Sequence, residues 1–210
     1  MGKKSTQLPK SKRSSRTDDK SNNKLYLTWF AIGGVVVALI VIGLFYLGYN
    51  GQAIANSGIE GLEIFPDPGQ GHVDGDIDYT SAVPVGGPHN PVWQLCGIYD
   101  EPVRPENTIH SMEHGAVWLT YQPSLSEEEV EYLRNVVRQK RADRGEAMVI
   151  LSPEPDIDVP LIATAWRVQL KLDDVFDDRL QEFLDRYQRG PFYPEPGANC
   201  TFGGIGEPTL

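Results

Sequence analysis

Cysteine is nearly absent: the chain has two thiols, Cys96 and Cys200, in 210 residues. That excludes a disulfide-dense miniature scaffold and any structural zinc module built on cysteine pairs. Methionine and histidine are also scarce, with three and four residues. Basic residues are few in the body, where positions 60–210 hold 11 Lys and Arg against 27 Asp and Glu. Such a balance offers no basic face for phosphates and excludes nucleic acid as its partner. Charge of either sign is missing altogether from positions 25–59. The first 24 residues are the reverse, with eight basic and two acidic side chains. The formal net charge of −10 therefore conceals a basic tail, an uncharged stretch and an acidic body.

Leu25 to Tyr49 runs without a charge for 25 residues. Roughly 20 helical residues cross a bilayer core, so this segment is expected to be a transmembrane helix. Tyr26 and Trp29 near one end, and Phe45, Tyr46 and Tyr49 near the other, suit the two interfaces. With the basic flank on the N-terminal side, positions 1–24 are expected in the cytoplasm and 50–210 outside. Ala53-Ile54-Ala55 fits a signal-peptide cleavage site, and Met1-Gly2-Lys3-Lys4-Ser5-Thr6 fits a myristoylation pattern. The apolar run exceeds the ~7–15 residues of a signal core, and a spanning helix makes a lipid redundant. The expected organisation is a cytoplasmic tail (1–24), a membrane helix (25–49), a stalk (50–71) and an extracytoplasmic domain (72–210).

Seven prolines between Pro66 and Pro105 mark a loop-rich lobe with little helix, and extended pieces are expected at Asp76–Thr80 and Val92–Tyr99. Beyond it, Ala116–Tyr121 has strand composition. Ser124/Glu127 and Ser126/Glu129 are alternative capping boxes for a helix ending at Gly145. Ala147–Leu151 is a short strand, and Leu161–Leu172 is a strand that alternates from Trp166 onward. A second helix is expected from Asp173 to Gly190, with Val175, Phe176, Leu180, Phe183, Leu184 and Tyr187 on its apolar face. In it Asp173, Asp174, Asp177 and Asp178 are N-terminal charges that the helix dipole favours. The order β-α-β-β-α predicts an α+β fold: a small, mainly antiparallel sheet with two helices on one face, ferredoxin-like in the sharpest version.

All four histidines, His72, His89, His110 and His114, fall within 43 residues. In an extended His110-Ser-Met-Glu-His-Gly115 the side chains of His110, Met112 and His114 share a face. In a helical one the two histidines still share a face while Met112 turns away. His89, on the turn Gly86-Gly-Pro-His89, supplies a third nitrogen. The expected site is a transition metal on His89, His110 and His114 with Met112 and His72. Glu113 is expected to orient an imidazole rather than to bind. A thioether tilts the choice toward copper, with zinc the alternative. His110-Ser-Met-Glu-His114 also matches the inverted zincin string, but the following strand and the lack of an obvious distal Glu argue against a protease. Asp74-Gly-Asp76-Ile-Asp78 resembles a calcium loop only in its opening, since Tyr79 and Val85 occupy the positions of the glycine and the bidentate glutamate. Cys96 and Cys200 are expected to form a disulfide in an oxidising compartment, the alternative being Cys96 as a metal ligand.

Tyr79 through Pro84, Gly86-Gly-Pro-His89, Trp93, Cys96-Gly-Ile-Tyr99 and His110-Ser-Met-Glu-His-Gly115 together resemble the DUF3105 family, bacterial in the main. The resemblance spans roughly residues 70–195. It implies a membrane-anchored outer domain, draws attention to His89, His110, Glu113 and His114, and supplies no reaction. Three functions follow from the sequence. The first is a membrane-anchored metal-binding protein with no catalytic residue assigned. The second is an interaction module for a membrane protein partner, using Trp93, Trp118 and the acidic surface. The third is a metal-dependent hydrolase.

Overall fold

The computed structural model describes residue 2 and residues 28–44, 58–144 and 146–209, with the backbone alone at positions 142 and 144. The chain divides into two compact units, residues 1–52 and 53–210.

In the first unit residues 28–44 form helix α1. Its large apolar side chains, Phe30 and Leu39 among them, are exposed. Among the described residues no helix is long and apolar enough to cross a membrane. Positions 25–27 and 45–49 of the expected span, nearly all of the basic tail and the Ala53-Ile54-Ala55 string lie outside the described residues.

The second unit is α+β, built on one six-stranded sheet ordered β1-β6-β5-β3-β4-β2. The strands are β1 (Glu63–Ile64), β2 (Gly97–Ile98), β3 (Val117–Tyr121), β4 (Val149–Pro153), β5 (Leu161–Ala165) and β6 (Val168–Leu172). The helices are α2 (Pro105–Glu113), α3 (Glu127–Arg144) and α4 (Arg179–Tyr187). The sheet is mixed, which corrects the expectation of a small antiparallel one. β4 lies parallel to both β3 and β2, whereas β3–β5, β5–β6 and β6–β1 are antiparallel. Helix α3 supplies the crossover that the parallel pair β3–β4 needs. A split, ferredoxin-like unit keeps a strand between the two that its helix joins. Here β3 and β4 pair directly, Val117 opposite Val149.

Leu161–Leu172 is a hairpin and not one strand. Arg167, with φ 67°, turns the chain so that Ala165 pairs with Val168. Trp166 and Val168 consequently pack on opposite sides of the sheet. Part of the stretch expected as stalk, residues 50–71, belongs to the folded unit. Ile59 and Leu62 enter the core and Glu63–Ile64 pair with β6.

Alternation across the strands gives the sheet two buried faces. Val117, Leu119, Leu151, Ala163 and Leu170 meet Leu133, Val136 and Val137 of α3 and Leu180, Phe183 and Leu184 of α4. Full burial of each valine, leucine or phenylalanine among them stabilises by about 1.5–3 kcal/mol. The other face, with Trp118, Ile150 and Ile162, packs against Ile109 and Met112 of α2 and the lobe before it. Helix α3 starts at the second of the two candidate capping boxes. Ser126 N–H donates to Glu129 Oε2 at 2.8 Å, and Glu129 N–H returns to Ser126 Oγ at 3.3 Å. Helix α4 starts later than Asp173, because Asp174 and Asp177 cap the N–H groups of Phe176 and Arg179, both at 2.9 Å. Those local turns replace the helix over 173–178, and Phe176 is left exposed.

Candidate metal centre

Helix α2 carries the chemistry, and it begins at Pro105, the last proline of the loop-rich lobe. Pro105 occupies its first turn, where the missing N–H is no loss, and Arg104 before it is extended at φ −71°, ψ 124°. Every residue from Glu106 to Glu113 is buried. Polar groups sealed on all sides need partners. Asn107 Nδ2 donates to the Val92 carbonyl at 2.6 Å, and Ser111 Oγ donates to the Gln94 carbonyl at 2.6 Å. These bonds fasten the lobe onto the helix. The helix stops at Gly115, whose φ of 96° is open to glycine and whose added Cβ would stand 3.1 Å from Arg189 Cα.

His110 and His114 lie one turn apart, with ring centroids at 4.6 Å. Met112 points the other way and is fully buried in the core. This is the helical geometry, so the sulfur is directed into packing and the argument for copper from a thioether lapses. His89 is delivered by a turn through Gly86 and Gly87 at φ 140° and 111°. A Cβ on Gly86 would stand 2.8 Å from Pro68 and 3.2 Å from the Trp166 ring, so only glycine fits there. Tyr79 Oη donates to the Pro88 carbonyl at 2.7 Å and steadies the same turn. His72 is held beside His89 by backbone bonds, His89 N–H to Gly71 O at 2.9 Å and Val73 N–H to His89 O at 2.8 Å.

The four expected histidines therefore form one contiguous cluster, in which His110 adjoins each of the others. Ring centroids lie 5.0 Å apart for His72 and His89, 4.8 Å for His72 and His110, and 4.9 Å for His89 and His110. Two donor groups result, each with its ligand atoms within 4.8 Å of one another. One comprises His72, His89, His110 and Glu113; the other comprises His110, His114 and Glu195. A tetrahedral ion with bonds of ~2.0–2.1 Å sets its donors about 3.4 Å apart, a small inward adjustment from these positions.

The hydrogen bonds decide which nitrogen faces the centre. His89 Nδ1 lies 2.8 Å from the Gly87 carbonyl, His110 Nδ1 2.7 Å from that of Asn90, and His114 Nδ1 3.0 Å from that of Asn199. A carbonyl only accepts, so each Nδ1 is a protonated donor and each Nε2 is the atom left to face the interior. Three imidazoles fixed in one tautomer by backbone acceptors is how metal-binding histidines are commonly oriented. Glu113 was expected to orient an imidazole. It does approach His89, Oε2 to Nε2 at 2.9 Å, but it also lies within binding range of the whole group. Burial, opposed in part by the Asn90 carbonyl and reinforced by the neighbouring imidazoles, pushes the His110 pKa down to about 4. His110 is thus neutral at ordinary pH.

Glu195 is the residue that sequence reading missed. It sits in a Pro/Gly tail 81 positions after His114 and carries no local signal. Its N–H bonds the Glu113 carbonyl at 3.1 Å, and its Oε2 lies 3.4 Å from His114 Nε2. Cys96 and Cys200 are bonded to each other, with Cα atoms 5.2 Å apart, so Cys96 is not a ligand. The bond fixes residue 200 beside Asn199, whose carbonyl orients His114. Trp93 walls the cluster, its ring 5.6 Å from His110 and 5.0 Å from His114. Trp118, counted as a contact residue in the interaction-module reading, is fully buried, with Nε1 donating to Ser152 Oγ at 2.9 Å.

No curated protein and no solved structure matches the chain. A family model does, that of DUF3105, described as a protein of unknown function, over residues 72–202. The match spans well over half of the chain and opens on His72, the first histidine of the cluster, and encloses Glu195. The chain belongs to the DUF3105 family.

Proposed function

We propose that the domain binds one divalent transition-metal ion through its histidine cluster. The observation that carries this reading is that the histidines cluster into two overlapping donor groups joined at His110, three of the rings being held by backbone carbonyls with Nε2 turned inward. Imidazole and carboxylate donors suit copper(II), zinc, iron and nickel, and in competition such a set takes copper(II) most tightly. Copper in this ion, supported by nitrogen and not by sulfur, is the assignment we make, with zinc as the competitor. We further propose that the uncharged run 25–49 and the basic tail anchor the chain in a membrane with the metal domain outside, the disulfide being at home in an oxidising compartment. The test is elemental analysis of the full chain in detergent after copper or zinc loading and desalting. Near-stoichiometric metal is expected in the parent and none in a folded His89→Ala/His110→Ala variant. Equal retention in both would overturn the proposal.

A hydrolase is the second reading, and one observation favours it. Both objections to the inverted zincin string fall away, since His110 and Glu113 lie on a helix and Glu195 provides the distal carboxylate. In that role Glu113 would take a proton from water at the ion. Glu113→Gln that keeps metal and abolishes cleavage of a fluorogenic peptide by the loaded protein would support it; a loaded parent with no cleavage would remove it.

A further inference from the structure

His110 belongs to both donor groups, and its Nδ1 is committed to the Asn90 carbonyl at 2.7 Å. One lone pair remains, on Nε2, and a protonated imidazole nitrogen cannot bridge to a second ion. The groups therefore cannot both be filled through His110. Their carboxylates differ in exposure. The Glu195 side chain is 48% exposed, whereas those of His89 and Glu113 are 0% and 3% exposed. The group with Glu113 has four donors, one of them exposed, His72 at 49%, and the group with Glu195 has three.

We infer that the two groups are two stations of a single ion, with His110 as the ligand common to both. Glu195 and His114 capture a divalent cation from solution together with His110. The ion then moves inward, exchanging His114 and Glu195 for His72, His89 and Glu113, and never leaves His110. The exchange changes no oxidation state. Bonds to His114 Nε2 and the Glu195 carboxylate break as bonds to His89 Nε2, His72 and the Glu113 carboxylate form. The ion takes the place of the contact between His89 Nε2 and Glu113 Oε2, and any proton held there goes to solvent. The inner station holds better, because it adds a donor and places the cation beside a carboxylate screened from water. This inference rests on the metal-binding reading above and adds to it a stoichiometry, a route and a direction.

Full chain in detergent is mixed rapidly with copper(II), and capture is followed by quenching of Trp93, the ring lying against both His110 and His114. A Trp93→Phe variant assigns the signal, and elemental analysis after desalting gives the ion count. The expected result is one ion per chain in the parent. Glu195→Gln, a change at an exposed side chain that leaves packing alone, should still retain one ion but capture it about tenfold more slowly or worse, since an acidic rim raises cation on-rates by that order. His72→Ala should capture at the parental rate and lose its ion on desalting. Two ions per chain in the parent, or an unchanged capture rate in Glu195→Gln, would overturn the shared-ligand route while leaving the metal site standing. Slow capture in His72→Ala with normal capture in Glu195→Gln would reverse the direction and overturn it equally. A parent that retains no ion would remove the metal reading and this inference together.

Discussion

Glu106 shows how one side chain places another some thirty positions away. Its Oε1 accepts the Ile77 N–H at 3.1 Å and its Oε2 lies 3.5 Å from Arg104 Nε, so the loop that carries His72 is fastened to the start of α2. Burial works to raise the Glu106 carboxyl, but hydrogen bonds from Ile77 and from its own N–H, together with the Arg104 guanidinium, outweigh it and hold the pKa below the usual 4.5. A carboxylate depressed in the folded state contributes stability that is complete above the unfolded value and is lost as pH falls through the folded one. Denaturant midpoints of the metal-free protein should therefore fall below pH 4.5, and Glu106→Gln should flatten that limb while costing about 1–2 kcal/mol at neutral pH. A parallel pH profile in both proteins would refute the assignment. Gly86 makes the corresponding case for backbone. Gly86→Ala places a methyl against Pro68 and Trp166 at a positive φ, and should cost more than about 1 kcal/mol and release metal by displacing His89.

At the scale of elements, α2 and α3 illustrate opposite kinds of helix. Helix α3 announces itself, with an acidic first turn, a capping box and apolar residues at helical spacing. Ser126→Ala should lower stability by about 1 kcal/mol, read as a shift in urea midpoint, and leave metal retention unchanged. Helix α2 is buried around its whole circumference, so it has no polar face and no hydrophobic stripe for periodicity to detect. Pro105 closes a run of seven prolines that reads as loop, yet at the first turn of α2 it is a helix starter. The candidate site shares that history. His110 and His114 at i, i+4 were legible from spacing, and His89 from its glycine turn. The choice between an extended and a helical frame, which decided the fate of Met112, rested on packing against Trp118 and Ile109. The hairpin at Arg167 escaped for a related reason, since nothing in LIATAWRVQLKL marks a turn that depends on a left-handed arginine.

Across the whole molecule, the disulfide and the sheet hold the site together from distant parts of the chain. Cys96 and Cys200 close a separation of 104 residues, worth up to ~4–5 kcal/mol in the chain-entropy model. Around the bond the C-terminal segment is stitched to the lobe, Cys96 N–H to Cys200 O at 2.7 Å and Leu95 N–H to Ile205 O at 2.8 Å. Cys96→Ser/Cys200→Ser should lower the thermal midpoint by many degrees, and at temperatures where it remains folded should slow copper capture, because Asn199 no longer holds His114. A variant with unaltered capture would show that the segment stays seated without the bond. Membrane attachment is tested at this scale too: the full chain should sediment with membranes and resist carbonate extraction, and a chain lacking residues 1–52 should not.

Composition and patterning determined much of this protein. An acidic body, an uncharged run, an α+β order of elements, a cysteine pair and a concentration of histidine are local or additive properties, and the chain states them directly. Tertiary structure alone decided that the sheet is mixed, that both its faces are covered, and that Glu195 joins His110 and His114. Those outcomes depend on which strands neighbour each other and on where a tail is tied down. Such facts come from contacts between residues far apart in sequence, and no window along the chain contains both partners.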